Sequence, residues 1–201
     1  MDALIIVDVQ NDFLPGGSLA VSDGDKIVPV INALQEKFEL VVATQDWHPE
    51  DHGSFASNHE GKEPFDKTML EGLEQILWPD HCVQSSKGAD FSGKLKNKRI
   101  EAIFRKGMEK QIDSYSGFFD NGKKKATGLA DYLRGRGVER VFIAGLAADV
   151  CVGFTTLDAL ELGFETFVIE DATKPIDEQN WKEMKNDITS RGGKIIMADA
   201  V

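Results

Sequence analysis

Short apolar runs that do not alternate with polar residues are the feature that most constrains this fold. Six such runs, rich in Val and Ile, occupy residues 3–7, 40–43, 102–104, 140–144, 166–169 and 195–197. Strands that are apolar on both faces are typical of parallel sheets covered by helices. Apolar residues at helical spacing lie between the runs: Ile27, Ile31 and Leu34; Leu129, Tyr132 and Leu133; Trp181, Met184 and Ile188. We therefore predict an α/β fold, with an open, mostly parallel sheet of about six strands and helices on both faces.

The size and composition of the chain predict one domain, residues 1–201, because no repeat or linker-like segment interrupts the 201 residues. The net charge of −11 argues against nucleic acid and anionic membranes as partners. The first apolar run is too short for a signal peptide or a membrane span. Two cysteines do not form a disulfide framework, so we expect a cytoplasmic protein. The sequence is equally compatible with a monomer and a homo-oligomer.

The segment from about residue 48 to about residue 97 does not follow this strand–helix rhythm. It contains three prolines and many Gly, Ser and Asp residues, and we expect at most a short helix near residues 68–76. Long irregular insertions in compact domains usually carry function. We therefore expect this insertion to contribute to the site.

Reactive side chains follow four of the predicted strands. Asp8 follows the first run, Asp46 and His48 follow the second, Lys106 follows the third, and Cys151 follows the fourth. The carboxyl ends of parallel strands meet at one edge of a sheet, which is where ligands bind in such folds. The sequence thus predicts that an acid, an ammonium group, a thiol and metal-type ligands converge there.

Cys151 is predicted to lie where strand gives way to helix. We expect Asp149 to cap a helix that continues to about residue 162, so that helix amides lower the thiol pKa and bind an oxyanion. Asp8 would take the thiol proton and return it to a leaving amine, and Lys106 would stabilise both anions. The alternative is that Cys151 is a small buried core residue.

The four histidines, His48, His52, His59 and His81, all fall within one short stretch of the chain. Asp46 and His48 are two residues apart, so in an extended segment their side chains project the same way. With His81 they would form a site with open positions for zinc, the first choice, or for manganese or ferrous iron. The alternative is a set of histidines on a polar loop.

Five motifs occur in order from Asp8 to about Asp171: IVDVQNDFLPGGSLAV, TQDWHPEDHGSFA, LWPDHCVQ, RKG followed by DSYSGFFDN, and GLAADVCV. Together they resemble the nicotinamidase family of isochorismatase-like cysteine hydrolases, and the similarity covers most of the chain. The resemblance implies a Rossmann-like three-layer fold. The combination of Asp-Trp-His with Trp-Pro-Asp-His-Cys-Val is specific for nicotinamidases, because relatives that act on isochorismate or carbamoyl compounds generally lack this metal site.

The resemblance implies a role for each matching residue. The implied catalytic triad is Asp8, Lys106 and Cys151. The implied metal ligands are Asp46, His48 and His81, with Ser54 in the metal shell of some members and His52 a ligand in only some. The implied aromatic residues around a pyridine ring are Phe13, Trp78 and Tyr115. The family also has a cis peptide bond, here between Leu146 and Ala147, which would direct the amides of Ala147 and Cys151 at the substrate carbonyl oxygen.

These roles imply hydrolysis of nicotinamide to nicotinate and ammonia through a cysteine thioester, in NAD salvage. A water molecule bound to the metal is the competing nucleophile. A related amidase acting on pyrazinamide or another small amide is the alternative function. A non-catalytic binding protein that retains the pocket is the alternative from another class.

Overall fold

A six-stranded sheet, in which every neighbouring pair of strands is parallel, forms the centre of the computed structural model, which describes residues 1–201. Its strand order is β5-β2-β1-β6-β7-β8. The strands are β1 (Asp2–Val7), β2 (Leu40–Asp46), β5 (Ile100–Lys106), β6 (Arg140–Leu146), β7 (Glu165–Lys174) and β8 (Lys194–Ile196). The predicted fold class is confirmed, and each predicted strand overlaps an observed one.

Four helices cover the two faces of this sheet. They are α1 (Ile27–Leu34), α2 (Leu129–Gly135), α3 (Gly153–Glu161) and α4 (Glu178–Ser190). Helix α1 packs with Leu4 and Ile6, whereas α2, α3 and α4 pack on the opposite face with Ile5 and Val7. Each fully buried Leu, Ile or Val side chain contributes about 1.5–3 kcal/mol, so this packing fixes the sheet edge that carries the site. None of the helices combines the length and the apolar character needed to cross a membrane.

The edge strand β5 departs from the prediction that all strands are buried on both faces. Its residues alternate between partly buried and exposed positions, and Ile103 is 50% exposed. The reason is its position, because β5 pairs only with β2.

The prediction of a short helix near residues 68–76 is wrong. These residues form an antiparallel hairpin of β3 (Lys67–Leu70) and β4 (Leu73–Ile76). The two turn residues, Glu71 and Gly72, have φ angles of +50° and +81°, as a tight two-residue hairpin turn requires. The apolar residues on the two sides of the turn mimic helical spacing. The rest of the insertion is mostly irregular and returns to the sheet edge.

Candidate active site

The carboxyl edge of the sheet brings together the four reactive side chains that the sequence places after its strands. Asp8 follows β1, and Asp46 and Lys106 are the last residues of their strands and are register partners. Cys151 lies in a turn beyond β6, after the cis peptide bond between Leu146 and Ala147. All four residues are buried, so their charges must be satisfied within the protein.

The Lys106 ammonium group lies at the centre of this cluster. Its Nζ donates to Asp46 Oδ1 at 2.5 Å, to the Ser114 carbonyl oxygen at 2.9 Å and to Cys151 Sγ at 3.4 Å. The same nitrogen is 3.0 Å from Asp8 Oδ2. Burial alone would lower the pKa of Lys106, but Asp46, Asp8 and Cys151 raise it well above its ordinary value. Lys106 is therefore a fixed positive charge between two carboxylates and the thiol.

Asp8 has one carboxylate oxygen that is held and one that is free to accept a proton. Oδ1 accepts a hydrogen bond of 2.7 Å from the Thr44 hydroxyl. Oδ2 forms an ion pair with Lys106 Nζ at 3.0 Å but has no hydrogen-bond partner of its own. Burial raises the pKa of Asp8, against the opposing effect of Lys106. A carboxylate with a raised pKa is suited to take a proton and return it.

The surroundings of Cys151 differ from the prediction in two respects. Residues Ala148–Val152 form a π-helical turn that leads into α3, and Asp149 does not cap the helix. Its carboxylate instead accepts hydrogen bonds from the amides of Ile176 and Asp177, at 2.8 and 3.0 Å. Asp149 thus ties the segment after β7 to the turn that carries the thiol.

The predicted lowering of the Cys151 pKa is also wrong for this structure. Burial raises the pKa of the thiol well above its ordinary value, Lys106 opposes this, and the carboxylates of Asp8 and Asp46 reinforce it. The loss of hydration at the buried sulfur atom is the largest of these effects. The resting group is a thiol, and its proton needs an acceptor in the site.

The side chains of Asp46, His48 and His81 form a group with the donor atoms of a divalent metal site, called the metal-type group below. Oδ2 of Asp46 is 3.6 Å from His48 Nε2 and 3.9 Å from His81 Nε2. The Nδ1–H groups of His48 and His81 donate to the carbonyl oxygens of Gly107 and Pro79, both at 2.8 Å. When the rings are neutral, each Nε2 therefore keeps its lone pair on the side of Asp46, which is the arrangement that metal-binding histidines use. One carboxylate and two imidazoles fit zinc and similar ions.

The protonation of these groups follows from their burial and mutual contacts. Burial and the neighbouring His48 lower the pKa of His81 to about 4, so His81 is neutral at pH 7. Burial opposes ionisation of Asp46, but Lys106 and His48 hold its pKa far below its usual range. Burial would lower the pKa of His48, but Asp46 raises it.

His52 and Ser54 lie beside this group and contact each other. The Ser54 hydroxyl is 2.7 Å from His52 Nδ1, and His52 Nε2 is buried without a hydrogen-bond partner. Ligand atoms of His52, His48 and Asp113 lie within 4.8 Å of one another. Sequence reasoning did not select Asp113, because it follows no strand. His59 is separate from the group, and its Nε2–H donates to the Gly53 carbonyl oxygen at 2.7 Å.

Two further residues that sequence reasoning missed hold the metal-type group from the loop after β1. Gln10 accepts from the Asp46 amide through Oε1 and donates to the Asp46 carbonyl oxygen through Nε2, both at 2.8 Å. Asp12 accepts from the Cys82 amide at 2.7 Å, next to His81. One sequence pattern could have identified them, because Asp8, Gln10 and Asp12 are polar residues at every second position of one short loop.

A small cavity in front of Cys151 contains the three aromatic residues that the resemblance implies. Phe13, Trp78 and Tyr115 line it together with Asp46, His48 and His81. The ring of Phe13 is 5.5 Å from that of His81, and Trp78 and Tyr115 pack edge to face at 6.2 Å. The cavity therefore joins the thiol, the metal-type ligands and flat apolar walls.

The parallel α/β fold holds Cys151, Asp8 and Lys106 together in one buried group, and the chain belongs to the isochorismatase family of hydrolases. The isochorismatase domain model matches residues 2–200.

Within that family the chain is similar to nicotinamidases. A nicotinamidase from Escherichia coli K12 is 50% identical over 181 residues, which are 88% of this chain and 84% of the relative. A nicotinamidase/pyrazinamidase structure from Acinetobacter baumanii superposes with a TM-score of 0.97 at 46% identity, covering 99% of this chain and 97% of that chain. A pyrazinamidase from Pyrococcus horikoshii, solved in complex with zinc, has a TM-score of 0.81 at 41% identity and covers 98% of each chain.

Proposed function

We propose that this protein hydrolyses nicotinamide to nicotinate and ammonia. The observation that carries the proposal is the position of Lys106, 3.4 Å from Cys151 Sγ and 3.0 Å from Asp8 Oδ2, where Cys151 lines an aromatic cavity. The neighbouring Asp46, His48 and His81 favour a pyridine ring as the bound group, because a metal ion held by them would attract the ring nitrogen. The similarity to nicotinamidases supports the same substrate.

In the first half of the reaction Asp8 Oδ2 takes the proton of Cys151 Sγ, and the thiolate attacks the carboxamide carbon. Lys106 stabilises the thiolate, and the backbone amides of Ala147 and Cys151 bind the oxyanion. When the C–N bond breaks, protonated Asp8 gives its proton to the leaving nitrogen, which departs as ammonia. The acyl group remains on Cys151 as a thioester.

In the second half Asp8 takes a proton from water, whose oxygen attacks the thioester carbon. The same amides bind the second oxyanion. The C–S bond then breaks, the proton on Asp8 returns to the sulfur, and the product leaves as nicotinic acid, which gives its hydroxyl proton to water or ammonia and becomes nicotinate. The enzyme ends with the thiol and carboxylate with which it began.

Asp46, His48 and His81 would hold one divalent metal ion, and we favour zinc over iron or manganese. These residues would thereby place a Lewis acid where it could attract the pyridine nitrogen and orient the ring. Ser54 would also belong to the metal shell, because its hydroxyl contacts His52 Nδ1 at 2.7 Å and still offers an oxygen lone pair. Phe13, Trp78 and Tyr115 would hold the two faces of the ring.

We also propose that residues 1–201 act as one domain, with residues 48–97 contributing metal ligands and pocket residues. Both cysteines are free thiols. A cysteine nucleophile needs a reducing compartment, so we place the enzyme in the cytoplasm, in the salvage of NAD.

Ammonia release by the reduced, zinc-loaded protein tests this function. Nicotinamide, pyrazinamide and benzamide are compared at equal concentrations. We expect turnover of nicotinamide and a markedly lower kcat/KM for benzamide, which lacks the ring nitrogen. A preference for pyrazinamide would favour the related-amidase alternative. Tight nicotinamide binding without ammonia release would favour the binding protein.

A further inference from the structure

A groove of about 640 Å³ opens directly outside the catalytic cavity. The groove and the cavity share Trp78, Tyr115, Val150 and Ile176 as lining residues. The groove and the cavity that contains Cys151 therefore adjoin each other across these four residues. The unsubstituted ring proposed above would use only the inner cavity.

The floor of this groove is apolar and unusually exposed. Phe65, Phe154 and Ile176 line it, and they are 58%, 40% and 36% exposed. The rings of Phe65 and Phe154 lie 6.0 Å from Trp78 and 5.3 Å from Tyr115, respectively, and extend the aromatic walls outward. Apolar surface gathered in a concave site is typical of ligand binding.

The rim of the groove is acidic. Four carboxylates and one lysine line it: Asp149, Asp177, Glu183, Asp187 and Lys67. Lys67 is paired with Glu74, so it does not offset the negative charge of the rim.

Glu183 is the rim carboxylate best placed to meet a cation. Asp149 and Asp177 accept hydrogen bonds from backbone amides, and Asp187 is paired with Arg191. Glu183 is exposed, and its carboxylate accepts a hydrogen bond from the neutral Gln179 at 2.9 Å. An ammonium group in the groove would meet this charge together with the faces of aromatic rings, which also attract cations.

We infer that this groove is an outer substrate subsite for aromatic carboxamides that carry a cationic substituent on the ring. The inference rests on the proposed function, because the inner cavity must hold the carboxamide. The aromatic floor packs against the arm of the substituent, and Glu183 interacts with its ammonium group. A carboxylate substituent is disfavoured by the same rim.

Two matched substrate pairs test this inference. Nicotinamides with an aminomethyl group at ring position 5 or 6 are compared with hydroxymethyl analogues of the same size. For at least one position we expect a two- to fivefold higher kcat/KM for the ammonium compound, the range of an exposed ion pair. The preference disappears in Glu183→Gln, reverses in Glu183→Lys and weakens in high salt.

Glu139→Gln is the matched control, because it removes the same charge just before β6, at the opposite edge of the sheet. It keeps the wild-type preference. Equal preferences in wild type and Glu183→Gln, or rejection of all substituted compounds while nicotinamide is hydrolysed, overturn the subsite. If nicotinamide itself is not hydrolysed, the proposed function fails. Calorimetric titration of the same pairs into Cys151→Ser then decides the subsite alone, by whether the ammonium compound binds more tightly in a Glu183-dependent way.

Discussion

The side chain of Gln10 connects the catalytic loop to the metal-type group. Gln10 is fully buried, and its side-chain amide bonds to both the N–H and the carbonyl oxygen of Asp46. No backbone group of a loop bonds to these two atoms in its place. Its second donor contact, to the Ala89 carbonyl oxygen at 2.9 Å, anchors the insertion at the same point. Thus one residue aligns the carboxylate that faces both Lys106 and the two histidines.

We predict that Gln10→Leu weakens zinc binding by about 10–100-fold, the range typical for residues that orient metal ligands. The replacement has a similar volume but leaves the Asp46 amide and carbonyl without partners. Zinc affinity is measured by competition with a chromophoric chelator. Gln84→Leu is the control, because Gln84 is exposed and its side chain donates only to the Trp47 carbonyl oxygen. Equal affinities in the two variants would contradict the role of Gln10.

His81 predicts a pH dependence of stability in the metal-free protein. Its folded-state pKa is about 4, lowered by burial and by His48, whereas an imidazole in an unfolded chain titrates near pH 6.5. Between these values the unfolded chain binds a proton that the folded protein does not. Folding stability therefore falls as the pH decreases from about 6.5 to about 4, by up to about 3 kcal/mol from this group.

Urea unfolding in the presence of a chelator, at several pH values across this range, measures the effect. His81→Gln removes the titrating group, so we expect a shallower loss of stability with acid than in wild type. Parallel curves for the two proteins would show that His81 does not titrate as the structure implies.

The turn after β5 determines how the His48 ring is oriented. Gly107 has a φ of +66°, and a Cβ atom there would lie 2.3 Å from His48 Cε1. Its carbonyl oxygen also fixes the tautomer of that ring. The strand end, the turn and the ligand orientation therefore depend on one glycine.

We predict that Gly107→Ala destabilises the protein and weakens zinc binding by about tenfold or more, because the methyl group displaces His48. Gly128→Ala is the matched control. Gly128 has a φ of +92°, but a methyl group added there would meet no atom within 4 Å, so that variant carries only the backbone strain, about 1–3 kcal/mol. Chemical denaturation and zinc competition separate the two effects. Unchanged zinc affinity in Gly107→Ala would argue against this contact.

At the scale of elements, the six strands and all four helices could be predicted because apolar periodicity is a local property, although α3 begins at Gly153 and not after Asp149. The convergence of Asp8, Asp46, Lys106 and Cys151 followed from the rule for parallel strand ends. The β3–β4 hairpin could not be predicted, because Glu71 gives no sign of a left-handed turn conformation. The supporting contacts of Gln10 and Asp113 depend on how the insertion folds back, which strand patterns do not encode. The raised pKa of Cys151 depends on enclosure by residues distant in the sequence.

At the scale of the whole molecule, the metal-type group joins the insertion to the sheet, since Asp46 belongs to β2 and His81 to the insertion. A metal ion that binds only the folded state stabilises it, by about 2.7 kcal/mol at a hundredfold excess over Kd. We predict that zinc at this excess raises Tm by about 5–10 °C over the chelated protein, given about 2–4 °C per kcal/mol for a chain of this size. Calorimetry checks the shift, which His81→Gln abolishes. If His81→Gln kept the full shift in Tm, the zinc ion would bind at another site.

The proposed reaction depends above all on transfer of the acyl group to Cys151. The most direct test is ammonia release from nicotinamide by zinc-loaded Cys151→Ala beside wild type, with bound zinc measured in both. We predict equal zinc content and a loss of activity of about a thousandfold or more, as expected when a nucleophile is removed from a catalytic triad. Activity within tenfold of wild type would contradict the thioester route and assign the attack to a metal-bound water molecule.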